Sequence, residues 1–160
     1  LGERFYRFNK YCLYESSVRV PMILSGSALP GKLRGQTDHR PAELVDIYPT
    51  LLKAAGVEVP PTSVGIDLLS NQTRPASFCA LHERKDEAAF MWRTIRHKLI
   101  LMMKRKPDVG KYTASDIKGG EFYDLQEDPQ EWNNLYGETK AQSDICTEMT
   151  EALLKHLQAQ

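Results

Sequence analysis

The chain has no long apolar run, no excess of either charge and no targeting segment. Its apolar stretches fall well short of the roughly 20 residues that a membrane-spanning helix needs, so we expect no membrane span. The 21 basic and 21 acidic residues cancel, which leaves no net field to attract nucleic acid or an acidic membrane. Residues Leu1–Phe5 lack an initiator Met and the basic and apolar regions of a signal peptide. We therefore expect a processed product or an excised fragment.

Cysteine is also scarce. The three cysteines, Cys12, Cys79 and Cys146, lie too far apart for a CxxC metal motif or for a small disulfide framework. Their odd number leaves at least one thiol free, and buried structural thiols are the expected state. No metal site is predicted within this chain.

What the chain does have is enough apolar surface for a globular core. Hydrophobic residues make up 41% of its 160 residues, which suits one compact domain or two small lobes. In the first lobe, the β-branched run Val18–Leu24 predicts a strand at a sheet edge, because it contains a proline. Residues 46–56 predict a helix, with Asp46 as its N-terminal cap and Gly56 as its left-handed stop.

The second lobe predicts a small antiparallel sheet and a closing helix. Its strand candidates, separated by charged or glycine-containing turns, are Ser77–Leu81, Met91–Arg96, Lys98–Met103 and Gly120–Leu125. A tight turn is expected at Arg96-His97, and Asp128-Pro129 with Glu131 predicts the start of a helix. A final helix over about 140–158 carries an apolar stripe made of Ile145, Met149, Leu153 and Leu157. The predicted fold class is therefore α+β.

Three polar residues are candidates for chemistry. Lys10 stands just ahead of the predicted strand, where an α/β enzyme keeps its ligands, and its ammonium could bind an anion. A surface lysine near the terminus is the alternative. His82 and Glu83 end a predicted strand and could face a substrate cleft, with a satisfied or solvated pair as the alternative.

Five segments of the chain resemble the motifs of sulfatases, in the family's order. They match the patterns K-x-x-x-Y-E-G-G-x-R-V-P, VDI-x-PTLL…AG, G-x-S/D-L-L, R-T-x-x-x-K-L-I and L-Y-D-L-x-x-D-P-x-E-x-x-N-L. The matching residues are Lys10 to Pro21, Val45–Gly56, Gly65–Leu69, Arg93–Ile100 and Phe122–Leu135. One departure is Ser16-Ser17 in place of the usual Gly-Gly, which removes backbone freedom near Lys10.

The resemblance implies the C-terminal part of an arylsulfatase-like enzyme of the alkaline phosphatase superfamily. It implies that the full-length enzyme hydrolyses sulfate esters with a formylglycine nucleophile and calcium, and that Lys10 contacts the sulfate. The C/S-x-P/A-x-R nucleophile motif and the family's paired metal-binding aspartates are absent from this sequence. We therefore expect the chain to begin just after the family's D-[NH]-G metal segment, to bind no calcium and to be inactive without the N-terminal catalytic part.

The same resemblance implies an arrangement of domains and a substrate class. Residues 1–70 would end the catalytic α/β domain as edge elements of a large sheet and expose an apolar face, and residues 71–160 would form the C-terminal subdomain. The substrate would be a sulfated small molecule or glycan, and the location periplasmic or extracellular. Two alternatives remain: a phosphonate or phosphate monoester hydrolase of the same superfamily, and a non-enzymatic α+β binding module.

Overall fold

Four antiparallel strands form one sheet in which spatial order follows chain order. A computed structural model describes the backbone of residues 11–84, 86–138 and 140–159, and their side chains except those of 82–84, 109 and 140–143. The sheet order is β1-β2-β3-β4. The strands are β1 (Ser77–Arg84), β2 (Glu87–Arg93), β3 (His97–Lys104) and β4 (Ile117–Asp124). The predicted α+β class and four-stranded sheet are confirmed.

The register of the central strands follows from a tight turn between them. Arg93 of β2 lies opposite Lys98 of β3. The turn is closed by the Thr94 N–H, which donates to the His97 carbonyl at 2.9 Å. His97 is thus the first residue of β3, and the turn is centred one residue earlier than the predicted Arg96-His97.

In the described residues, three α-helices and four short 3-10 helices accompany the strands. The α-helices are α1 (Glu15–Val18), α2 (Ile47–Ala54) and α3 (Lys140–Gln158). Short 3-10 helices cover Gly31–Leu33, Leu44–Asp46, Val109–Lys111 and Ala114–Asp116.

The buried stripe of α3 begins at a different residue from the one predicted. Met149, Leu153 and Leu157 are buried, as expected, but Cys146 is 8% exposed whereas Ile145 is 37% exposed. A helix turns about 100° per residue, so repeated four-residue steps back from Leu157 place Ile145 about 120° off the stripe. Cys146, eleven residues before Leu157, returns to within about 20° of it.

Both faces of the sheet carry apolar side chains. The fully buried set comprises Phe90, Leu99, Leu101, Met103, Tyr112, Leu153 and Leu157. It includes the edge-to-face pair of Phe90 and Tyr112, whose ring centroids are 4.9 Å apart. A second cluster, formed by Leu13, Met91, Ile100 and Tyr123, buries the segment that precedes α1. Leu13, Tyr14 and Val18 are thereby packed on the sheet.

Contacts divide the described chain into two compact units. Residues 11–20 belong with 78–159, and residues 21–77 form the other unit. The predicted domains 1–70 and 71–160 concern a parent enzyme, and that assignment stays a prediction.

In residues 21–77, two sequence predictions need correction. Residues 19–25 are irregular, so no strand forms over Val18–Leu24, because a strand needs a hydrogen-bonded neighbour and none is present among the described residues. Asp46 does not cap α2 with its side chain. Its carboxylate accepts instead from the backbone N–H groups of Glu43 and Ile66, at 2.8 and 2.9 Å. Gly56 ends α2 with φ +71°, as predicted.

Residues 21–77 bury few side chains of their own. The buried ones are Pro41, Asp46, Pro49, Thr50 and Ala76. Many large apolar side chains are exposed instead, and Ile23 is 88% exposed. They are Met22, Ile23, Leu24, Leu44, Val45, Tyr48, Leu51, Val57 and Val64, which we call the exposed apolar set. This unit therefore lacks the core that a segment of its length normally forms.

We predict that Gly120→Ala destabilises the sheet unit and that Gly119→Ala does so much less. A Cβ at Gly120 would lie 2.4 Å from the Tyr136 ring, whereas a Cβ at Gly119 would meet only Met102 Cε at 3.5 Å. The overpacked variant should lose about 1–3 kcal/mol of unfolding free energy. Thermal unfolding followed by circular dichroism would measure this, and equal melting temperatures for the two variants would contradict it.

Candidate functional site

The three residues predicted to carry chemistry stay predictions. Lys10 lies outside the described residues. His82 and Glu83 lie on β1, and their side chains are outside the described part of the structure. The candidate site is therefore built from what the structure describes directly after Lys10 in the chain, namely residues 11–18 and the side chains that hold them.

A buried lysine holds this segment. Lys98 of β3 is fully buried, and its ammonium donates to the Leu13 carbonyl at 3.1 Å. The same Nζ lies 2.7 Å from Glu15 Oε1 and 2.7 Å from Glu131 Oε1. The contact with Glu131 Oε1 lacks hydrogen-bond angles, so it acts through charge attraction. Three oxygens from two distant parts of the chain thus surround one ammonium.

Arg93 at the end of β2 adds a second cation. Its Nε and one terminal nitrogen each lie 3.3 Å from a different oxygen of Glu15, in a forked arrangement. Burial raises the pKa of Glu15, but the charge of Lys98 and the hydrogen bonds from Lys98 and Arg93 outweigh it. The net result is a pKa below the ordinary carboxyl value, so Glu15 is ionised at neutral pH. Glu15, Arg93, Lys98 and Glu131 form what we call the buried charge cluster.

Glu131 enters the cluster from a turn rather than a helix. The predicted helix after Asp128-Pro129 does not form, and Glu131 has φ +59°, in the left-handed region. Glu131 is 1% exposed. Its Oε2 accepts the Glu15 backbone N–H at 2.7 Å, which satisfies a donor at the start of α1 that the helix itself leaves unpaired.

The cluster was missed from the sequence, although a signal was present. Lys98 alternates with Ile100 on one face of an otherwise apolar strand, where a charged residue is costly unless it is paired. Its partners Glu15 and Glu131 lie in two other sulfatase-like segments. The pairing itself needed the fold.

The two remaining sulfatase-like segments meet in a second polar cluster, within residues 21–77. Asp46 is fully buried and, besides the two backbone donors, pairs with Arg74. Thr50 Oγ1 accepts the Leu68 N–H at 2.9 Å. A Cβ at Gly65 would lie 2.2 Å from the Val45 carbonyl oxygen, so only glycine permits this approach.

The donor groups of the described residues do not fit a calcium ion. Among these residues, no group of three or more His, Cys, Asp or Glu side chains could hold a metal. The buried carboxylates are paired with cations instead: Glu15 and Glu131 with Lys98, Asp46 with Arg74, and Asp116 with Lys106.

Burial differs among the three cysteines, because Cys146 is buried as expected whereas Cys12 and Cys79 are partly exposed. Cys12, Cys79 and Cys146 form no disulfide with one another. Burial raises the pKa of the Cys146 thiol, which keeps it protonated at neutral pH.

Comparison with known families decides the identity of the chain. The model of the family described as "N-sulphoglucosamine sulphohydrolase, C-terminal" matches residues 2–160. The chain belongs to this sulfatase family. The family resemblance inferred from the five segments is thus confirmed.

Similar proteins are sulfatases too. This sulfatase C-terminal domain is 26% identical over 137 residues to arylsulfatase K of Xenopus laevis, covering 82% of the chain and 25% of the relative. It is 31% identical over 154 residues to N-acetylglucosamine-6-O-sulfatase of Bacteroides thetaiotaomicron, covering 88% and 25%. The chain thus spans about a quarter of the length of these relatives.

A solved structure shares the fold. The structure of a 2-O GAG sulfatase matches with a TM-score of 0.56 and 24% identity, over 70% of this chain and 24% of that one. None of the helices in the described parts of the domain is long and apolar enough to span a bilayer.

We predict that Lys98→Met destabilises the sheet unit by about 3–5 kcal/mol, because it leaves the Glu131 carboxylate buried without a cation and removes one of the two cations that hold Glu15. Urea unfolding would measure the loss. Arg96→Gln is the matched control, since Arg96 is half exposed and pairs with Asp124 at the surface. The role assigned to Lys98 is wrong if both variants unfold at the same urea concentration.

Acid should weaken the domain through Glu15. Because the folded pKa of this carboxyl is lowered, its contribution to stability is complete above its unfolded pKa of about 4.3 and is lost as pH falls from there through the folded pKa. Asp124, whose pKa Arg96 lowers, contributes in the same direction. Melting temperatures measured between pH 7 and pH 3 should fall less steeply for Glu15→Gln than for the wild type; parallel curves would contradict the assignment.

Proposed function

We propose that the chain is the C-terminal part of an enzyme that hydrolyses sulfate esters, and that Lys10 binds the sulfate group. The observation that carries the proposal is the family match over residues 2–160. The position of Lys10 supports the assignment to that residue. It lies five residues before Glu15, whose side chain the buried charge cluster holds.

The chemistry proposed for this chain is anion binding. The Lys10 ammonium would pair with sulfate oxygens as a point charge and stabilise negative charge that grows on the leaving oxygen. The formylglycine nucleophile would come from the part of the enzyme outside this chain. Calcium, when bound there, would polarise the sulfate. It would be held outside this chain, because the carboxylates of Glu15, Asp46 and Asp116 are already paired with cations.

Exposed apolar surface supports a larger parent protein. The exposed apolar set surrounds a unit whose own buried side chains are few. Large apolar side chains left exposed in such number are typical of a surface that another protein surface covers. We infer that residues 21–77 pack against the rest of the catalytic part, which also argues against a self-contained binding module.

A sulfated glycan is the proposed substrate. The names of two similar proteins support this class, one being an N-acetylglucosamine-6-O-sulfatase and the other a 2-O GAG sulfatase. From the family resemblance we further propose that the enzyme acts in the periplasm or outside the cell.

The full-length protein is expected to release sulfate from sulfated glycosaminoglycan oligosaccharides or from an aryl sulfate, and the 160-residue chain to release none. Ion chromatography of free sulfate would measure this, with calcium present. Lys10→Ala in the full-length protein should lower kcat/KM by about 100-fold or more, because one preorganised charge is lost.

Two results would decide against the proposal. Full-length protein that cleaves a phosphate or phosphonate monoester but no sulfate ester would favour the other branch of the superfamily. Sulfate release by the isolated chain would show that the nucleophile and metal are not needed from elsewhere.

A further inference from the structure

We propose that the buried charge cluster fixes residues 13–15 and thereby positions Lys10 for sulfate binding. Lys98, Arg93 and Glu131 would then be positioning residues that do not touch the substrate. This inference rests on the proposed function of Lys10. Its starting point is that Arg93, Lys98 and Glu131 all contact Leu13 or Glu15, three and five residues after Lys10, and that none of these contacts is local in sequence.

Residues 13–15 are held from several directions. Lys98 fixes the Leu13 carbonyl and the Glu15 carboxylate, and Arg93 grips the same carboxylate from the end of β2. Glu131 fixes the Glu15 backbone N–H. Main-chain and side-chain groups are therefore held together, which sets the rotation of the segment as well as its place.

Apolar packing alone would not require these charges. Leu13 is already buried against Met91, Ile100 and Tyr123. Burying ions is costly, and replacing a buried ion pair with apolar residues often leaves stability unchanged or raises it. The cluster thus adds little stability that packing could not supply, and what it adds is directional contacts.

The backbone of Glu131 adopts a strained conformation. A non-glycine residue at φ +59° is uncommon, and such a strained conformation persists only where surrounding contacts hold it. The conformation delivers a carboxylate to two groups at once, the Lys98 ammonium and the Glu15 N–H. The strain is therefore located where the segment is fixed.

The test is a double-mutant cycle in the full-length enzyme. Glu131→Met keeps the length and unbranched shape of the side chain but removes the acceptor for the Glu15 N–H and one charge beside Lys98. We expect it to lower kcat/KM about 10- to 100-fold, the range for a small misplacement of a binding group. In a Lys10→Ala background it should change kcat/KM less than twofold, because the residue it positions is gone.

Controls separate positioning from general damage. Arg96→Gln removes a surface ion pair on the same sheet and should leave kcat/KM unchanged in both backgrounds. If Glu131→Met fails to fold, Arg93→Gln replaces it, since Arg93 is partly exposed and contacts Glu15 from the sheet end. An unchanged kcat/KM, or the same loss with and without Lys10, would overturn the inference.

A second measurement distinguishes failure of this inference from failure of the proposed function. Hydrogen exchange of the 160-residue chain needs no activity. Glu131→Met should speed exchange of amides in residues 11–18 at least tenfold and leave β2 and β3 amides unchanged, whereas Arg96→Gln should change neither. Unaltered exchange in residues 11–18 would overturn the positioning role, even if the wild-type enzyme is a sulfatase. If the variant chain exchanges faster but the full-length wild-type protein releases no sulfate, the proposed function is overturned instead.

Discussion

The buried ammonium of Lys98 is the contact on which the arrangement of the described sheet unit depends. A charged group without water is tolerated only when opposite charge and hydrogen-bond acceptors surround it. Here the oxygens are the Leu13 carbonyl, the Glu15 carboxylate and the Glu131 carboxylate, and the last of these acts through its charge. Because the ammonium must keep all three, the segment after Lys10, β3 and the turn after β4 are constrained together.

This constraint gives a physical reason for the sulfatase-like segments. Three of them supply Glu15, Arg93 with Lys98, and Glu131, which meet in one cluster. The other two supply Asp46 with Thr50, and the close approach at Gly65, which meet in a second. The segments therefore supply the polar contacts that join distant parts of each unit. Lys10 is the residue of these segments that has a proposed chemical role.

The two units differ in how they bury apolar surface. The sheet unit encloses Phe90, Leu99, Leu101 and Leu153 almost completely. Residues 21–77 instead organise themselves through polar contacts around Asp46 and leave their large apolar side chains exposed. A polar cluster can set the geometry of such a segment, but it does not replace a core. The unit is consequently suited to a place in a larger domain.

The sequence by itself determined the family, the α+β class, the four strands and the two longer helices, because these follow from local periodicity, turn residues and short motifs. The apolar face expected on residues 1–70 stays a prediction, which the exposed apolar set supports. Element ends were less accessible, as Ile145 and Cys146 show, since a one-residue difference changes the buried side of a helix. The strand over Val18–Leu24 was wrong because strand formation needs a partner. Only the tertiary structure decided that Lys98, Glu15 and Glu131 form one cluster, since electrostatic pairing between residues far apart in the sequence depends on where the chain brings the charges and not on their spacing.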